Sequence, residues 1–458
     1  MSQPLRVAII GAGPSAFYAA EQLLRQDSVD VRVDMFDRLP TPYGLVRAGV
    51  APDHQKIKNV TKSFAQIAAD PRFRFFGYVE FGADISLDEL KQHYHQVLFA
   101  TGAQSDKRMG IPGEDLPGSH PATAFVAWYN GHPDYRYYQF DLTQERVAIV
   151  GVGNVAIDVA RILCLSPREL AATDMADYAV EALSKSRVRE VYLLGRRGPA
   201  QAAFTNPEIK EIGELEDADV IIRKDEAELD PISKAVVEES GDRALAKKVE
   251  LLQSYADQAP AGRLRKLFLR FLVSPVELRG DGSVTGMRLV KNELARDDSG
   301  GLVARATSQF EDLPVGLVFR SVGYRGTALP GVPFHDRWGV ILNEKGRILD
   351  PETNHPIIGE YTTGWIKRGP SGVIGTNKPD AHETVACMLE DAAENCTLQP
   401  AYPDSDVEQD LVRKKQPRYV TFGDWLKLDQ LEMSRGQTSG RPRVKFTSFE
   451  EMLSAVGK

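Results

Sequence analysis

At 458 residues the chain is too long for one ordinary core, since domains run about 100–200 residues, so two or more domains are expected. Apolar residues at 42% and charged residues at 26% describe a globular chain and exclude large-scale disorder. A net charge of −8 argues against a general nucleic-acid binder and obliges any acidic protein partner to find a local basic patch.

In chain order, the first residues run directly into a strand-like VAII at 7–10, which leaves no room for a signal or transit segment and leads us to expect a cytoplasmic protein. A glycine turn follows, with Gly11, Gly13 and Ala16 in GxGxxA spacing, and then a helix-forming run over 17–24. The first glycine permits the tight turn, the second lets backbone N–H groups approach a pyrophosphate, and the small third residue allows close helix–strand packing. A second strand over 31–36 ends in Asp37, where an acid can accept hydrogen bonds from a ribose hydroxyl, as suits the adenosine of FAD or NAD. Residues 84–91 read as a short helix, and 96–103 as a strand ending in Ala-Thr-Gly that leaves the first domain.

The fingerprint then recurs: a strand over 146–150 leads into Gly151, Gly153 and Ala156 and a helix-forming run over 157–163. One such turn is weak evidence, but two in the same strand–turn–helix context are hard to dismiss. An acidic, alanine-rich stretch over 165–187 reads as inserted helix away from the cofactor. The strand over 191–194 ends in Gly195, Arg196 and Arg197 with no acid. Two guanidiniums welcome a 2'-phosphate and a carboxylate repels it, so the second nucleotide is expected to be NADP.

Further on, Arg263, Arg265 and Lys266 cluster ahead of a strand-like segment at 267–273 and are read as a basic docking patch. Residues 316–326 resemble a return crossing, and the glycine-dense 362–376 opens a helix over 379–391, a second place for backbone amides to meet a cofactor. The tail carries helical runs at 411–416 and 424–433 and a terminal helix whose Ser448 and Glu451 match a capping box. No apolar run reaches the roughly 18–20 residues of a membrane span. The three cysteines lack CxxC spacing, which excludes an iron–sulfur cluster and a dithiol centre and fits a reducing compartment; no metal site is expected. The expected organisation is α/β: a first dinucleotide-binding domain over 1–105, a second over 106–324 inserted into it, and its remainder with a C-terminal extension over 325–458.

Four phrases carry a resemblance over essentially the whole chain: TPYGLVRAGVAPDH at 41–54, GVGNVAIDVAR at 151–161, GRRGP at 195–199 and GWIKRGPSGVIGT at 364–376. Together they resemble the adrenodoxin-reductase-like NADPH-ferredoxin reductases of bacterial type, built on a glutathione-reductase-type pair of Rossmann-like domains. The resemblance implies FAD contacts at Gly11, Gly13, Ser15, Asp37, Leu45, Val79, Trp365, Gly372, Val373 and Ile374. It implies NADP contacts at Arg108, Gly153, Asn154, Val155, Ala156, Arg196, Arg197, Glu208 and Gly372. It also places His54 and Glu211 beside the reacting rings as the catalytic pair, orienting and tuning charge rather than driving hydride transfer. Many relatives carry Glu where this chain has Asp37. The implied activity is hydride transfer from NADPH to FAD, then single-electron transfer to a ferredoxin-type acidic acceptor. The alternatives are a flavin-dependent monooxygenase and a non-catalytic NADPH-sensing flavoprotein; the missing CxxC removes a disulfide reductase.

Overall fold

The computed structural model describes residues 4–458; the first three residues, part of the basis for expecting no leader segment, lie outside the described residues. The chain divides into two compact units, one of Met1–Ser105, Asn130–Arg136 and Gly323–Lys458, the other of Asp106–Tyr129 and Tyr137–Val322. Among the described residues, no helix is long and apolar enough to cross a membrane.

In the first unit, β1 (Leu5–Ile10), β2 (Val31–Asp37), β3 (Phe73–Gly77) and β4 (Gln96–Phe99) form a parallel core in the order β3-β2-β1-β4. Pro356–Thr362 joins β4 in parallel, and two short antiparallel strands close that edge. Val7–Ile10 of β1 is a continuous apolar run because both faces of this central strand are covered. Their period of two splits the side chains: Val7, Ile9, Val33 and Met35 enter one buried cluster, while Ala8, Ile10 and Phe36 enter another. Each such buried aliphatic contributes about 1.5–3 kcal/mol, so a register slip in β1 would be costly. Helix α1 (Pro14–Leu24) packs its Ala16, Phe17, Ala20 and Leu23 into the first cluster.

The second unit repeats the plan. Six parallel strands run in the order Ser119–Pro121, Leu317–Arg320, β5 (Arg146–Val150), β6 (Glu190–Leu194), Arg265–Arg270 and Ala218–Ile222, and α2 (Asn154–Cys164) follows β5. A three-stranded antiparallel meander, Val273–Arg279, Gly286–Arg296 and Leu302–Leu313, is attached to it. The α/β class with two doubly wound units is therefore as expected.

Several local expectations shift. The helix expected over 84–91 runs Leu87–His93, because Ser86 caps it in a full capping box and Asp84 is occupied accepting the Glu80 N–H. The strand expected over 267–273 is two strands, separated where Leu272 takes φ +56. Ser448 accepts the Glu451 N–H, but Glu451 turns its carboxylate to the Thr447 N–H and to Arg136, so the reciprocal half of that capping box is not made. Residues 165–187 form two short helices, Pro167–Ala171 and Asp177–Ser184.

Candidate functional site

On the first unit, four stretches distant in sequence converge at the start of α1. Gly11 takes φ +103 and a Cβ there would lie 2.6 Å from the Ala100 carbonyl oxygen, so the turn after β1 is crowded against β4 and only glycine fits. Gly13, by contrast, has nothing within 4 Å of its would-be Cβ: the turn is open on the side where α1 begins. No side chain caps α1, so its first N–H groups are left for an anion, and the dipole favours one. Tyr43 N–H donates to the Ala12 carbonyl at 2.8 Å, and a Cβ on Gly44 would lie 3.0 Å from Gly13 Cα, which places the 43–45 segment against the turn. Gly364 packs on the other side, its would-be Cβ 2.5 Å from Ser15 Oγ.

The rim of this opening is apolar yet uncovered. Leu45 is 40% exposed and Val373 53% exposed; Trp365 is half-buried, held by its indole N–H donating to the Ser371 carbonyl at 3.1 Å. Ile374 anchors the 371–375 loop by packing on the core, and Gly372 takes φ +78 where a Cβ would strike Thr376. Exposed aliphatics around an anion-ready helix start fit an isoalloxazine over a pyrophosphate. Asp37 ends β2 as expected. Its two carboxylate oxygens accept the Ala12 N–H at 2.8 Å and the Leu39 N–H at 2.9 Å, and burial pushes its pKa up against those bonds. Each oxygen retains a second lone pair for a hydroxyl donor. Val79 is buried and donates its N–H to the Asp37 carbonyl at 3.0 Å, so its own backbone carbonyl is the group it can offer. His54 is half-buried ahead of Gln55–Lys58, its N–H donating to the Ala51 carbonyl at 3.0 Å.

On the second unit the same grammar has a different ending. Gly151 takes φ +130 with its would-be Cβ against the Ser321 carbonyl, Gly153 again faces open space, and no side chain caps α2. Asn154 Oδ1 accepts the Thr205 N–H at 3.1 Å, while Val155 stands half-buried and Ala156 fully buried behind it. At the end of β6, Arg196 is exposed and Arg197 half-buried. Their backbones are pinned: Asn292 Nδ2 donates to the Arg196 carbonyl at 2.9 Å and Leu272 N–H to the Arg197 carbonyl at 3.2 Å. Neither guanidinium has a carboxylate partner among the described residues. Two unpaired guanidiniums on a fixed backbone fit a phosphate monoester.

The remaining predicted residues of this unit are engaged. Arg108 is paired to Asp115 by its Nη2, at 2.6 and 2.5 Å from the two carboxylate oxygens. Glu208 accepts the Thr205 hydroxyl, and Glu211, on α3 (Asn206–Gly213), lies 3.5 Å from Arg161 Nε, whose Nη1 donates to Asp158 at 3.1 Å.

The basic trio is corrected. Arg265 is only 4% exposed: as an inward-facing residue of a central strand it reaches the Cys164 carbonyl at 3.5 Å and cannot meet a partner. Alternation along the strand leaves Lys266 exposed, and Arg263, also exposed, donates to the Leu215 and Ala218 carbonyls. Sequence reasoning missed the C-terminal side chains that hold the 43–47 segment, because no local motif marks an ion pair spanning 385 residues.

A protein-family profile described as "Pyridine nucleotide-disulphide oxidoreductase" matches residues 5–227. The chain is 46% identical over 460 residues to the NADPH-ferredoxin reductase FprA of Mycobacterium tuberculosis, covering 98% of this chain and 99% of that one. It is 40% identical over 469 residues to the mitochondrial NADPH:adrenodoxin oxidoreductase of Arabidopsis thaliana, covering 99% and 96%. The solved structure of M. tuberculosis FprA in complex with NADPH superposes with a TM-score of 0.94 at 45% identity, over 99% of this chain and 100% of that one.

Proposed function

The chain belongs to the NADPH-ferredoxin reductase family, and on that premise we propose that it is an FAD-dependent NADPH:ferredoxin oxidoreductase with FAD on the first unit and NADP(H) on the second. One observation carries the assignment: two equivalent glycine turns whose following strands end in opposite chemistry, Asp37 at the end of β2 and, after β6, Arg196 and Arg197, which have no carboxylate partner among the described residues. FAD bound there would supply the redox chemistry that couples a two-electron hydride donor to a one-electron acceptor.

The polypeptide's part is holding and shielding. The N–H groups at the start of α1 hold the FAD pyrophosphate past Gly13, and Asp37 accepts from the ribose. Leu45, Trp365 and the 372–374 loop keep water off the ring. Backbone N–H groups of 154–156 hold the NADP pyrophosphate, and Arg196 and Arg197 take the 2'-phosphate. Glu211, held beside Arg161, would orient the nicotinamide amide, and the His54 imidazole would hold a proton beside the flavin. Of the basic trio, Arg263 and Lys266 present charge to the acidic acceptor. Replacing both by alanine is expected to raise the KM for ferredoxin several-fold at low salt and hardly at all above about 0.5 M, where screening is complete.

Stopped-flow mixing tests the whole reading. NADPH is expected to bleach the bound flavin within seconds and NADH far more slowly, with cytochrome c reduction requiring added ferredoxin. Flavin that stays oxidised with NADPH would identify a sensor instead, and oxygen-dependent NADPH loss with a hydroxylated product would identify a monooxygenase.

A further inference from the structure

The 43–47 segment, which carries Leu45 and abuts the first glycine turn, is gripped from behind by the C-terminal extension. Arg47 reaches Glu432, on the helix Phe422–Thr438, with its Nη1 and Nη2 donating to the two carboxylate oxygens at 2.8 and 2.5 Å. Glu432 has no exposed surface; it also accepts Arg443 Nη1 at 3.1 Å and the Phe446 N–H at 2.9 Å. Burial alone would raise its pKa, and Arg47 with Arg443 overcomes that and holds it below the usual carboxylate range. The extension adds two further contacts: Lys445 Nζ donates to the Arg47 carbonyl at 3.3 Å, and the Arg47 guanidinium lies 5.1 Å over Trp425, which meets Tyr43 edge-on at 5.7 Å.

A two-pronged guanidinium–carboxylate pair sets orientation as well as distance, because both bonds must stay planar. Here it joins a chain at one end of which Tyr43 N–H is bonded to Ala12, inside the glycine turn, and at the other end of which stands a carboxylate out of reach of solvent. Any swing of the 43–47 segment away from the turn would strip Glu432 of a guanidinium and leave a buried charge half compensated. We propose that Glu432 is a positioning residue for the flavin: acting through Arg47, it clamps the 43–47 segment over the FAD site and slows release of the cofactor. The proposal rests on the assignment of FAD to the first unit.

The test compares holoenzymes. Glu432→Gln keeps the shape and removes the charge; Glu408→Gln makes the same isosteric change at another buried carboxyl group of the extension, one that is bonded to Arg6 and Arg74 and not to the 43–47 segment. The readouts are the rate of FAD release, followed by recovery of flavin fluorescence, the visible flavin spectrum and the thermal midpoint. Glu432→Gln is expected to release FAD at least about tenfold faster with a shifted flavin band, and Glu408→Gln to release it at the wild-type rate even where its thermal midpoint falls as far. Arg47→Lys retains the cation without the fork and is expected to behave as Glu432→Gln does, which keeps the question answerable should Glu432→Gln fail to fold. Wild-type release in Glu432→Gln or Arg47→Lys overturns the clamp, as does equal acceleration by Glu408→Gln. Wild-type protein that is colourless and takes up no FAD overturns the cofactor assignment itself and the clamp with it.

Discussion

Replacing Arg196 and Arg197 together by alanine is expected to lower kcat/KM for NADPH by about 100- to 1000-fold while leaving that for NADH within a few-fold of wild type. A hydrogen bond to a charged group contributes about 1.5–3 kcal/mol, and two such groups at a partly solvated phosphate yield about 3–4 kcal/mol after screening. The structure makes the loss specific. Both backbones are tied down by Asn292 and Leu272, so truncating the side chains removes charge without releasing the loop. Neither side chain anchors a carboxylate among the described residues, so no buried partner is orphaned and thermal stability is expected to stay within about 1 kcal/mol of wild type. Parallel steady-state kinetics with the two nucleotides check this, and equal efficiency with NADPH and NADH in the wild type would contradict the nucleotide assignment.

Gly13→Ala is expected to abolish retention of FAD in a protein that remains folded, and Gly153→Ala to raise the KM for NADPH at least about tenfold in a protein that keeps its flavin. The reason lies in what each methyl would meet. Both glycines have ordinary φ, −84° and −104°, and a Cβ at either finds nothing within 4 Å. Within the polypeptide the substitution is therefore free of strain, and the reduced freedom of the unfolded chain stabilises by about 0.4–1 kcal/mol. The added methyl stands where a pyrophosphate must approach the backbone. Gly11→Ala and Gly151→Ala provide the contrast: at φ +103 and +130, with carbonyls of Ala100 and Ser321 in the way, both are expected to lower the thermal midpoint as well as cofactor binding. Flavin-to-protein ratios and melting curves separate the two classes, and a Gly13→Ala variant that purifies fully loaded would refute the close backbone approach.

The elements that were legible are those whose information is local. The strand–glycine–helix units appear as β1 with α1 and β5 with α2, and both start within three residues of the expected helix runs, because four β-prone residues, a turn that needs positive φ and a helix-forming run each impose their own backbone. The acid or arginines at the strand ends were legible for the same reason: position in the strand decides where the side chain emerges. The end of the 267–273 run was not, since only pairing with neighbours shows that Leu272 turns the chain from a parallel sheet into an antiparallel meander.

By itself, then, the amino-acid order determined the two doubly wound units, the acid and the arginine pair that stand at their strand ends, and the family. Tertiary structure alone decided which charged groups are available. Two arginines and a lysine within four positions look alike in sequence, yet Arg265 is buried while Lys266 is exposed. Arg108 finds Asp115 close by, but Arg47 finds Glu432 only because folding brings a distant helix to it. Charge in a folded protein is spent on whichever partner packing supplies, and packing depends on contacts across the whole chain that no local pattern encodes.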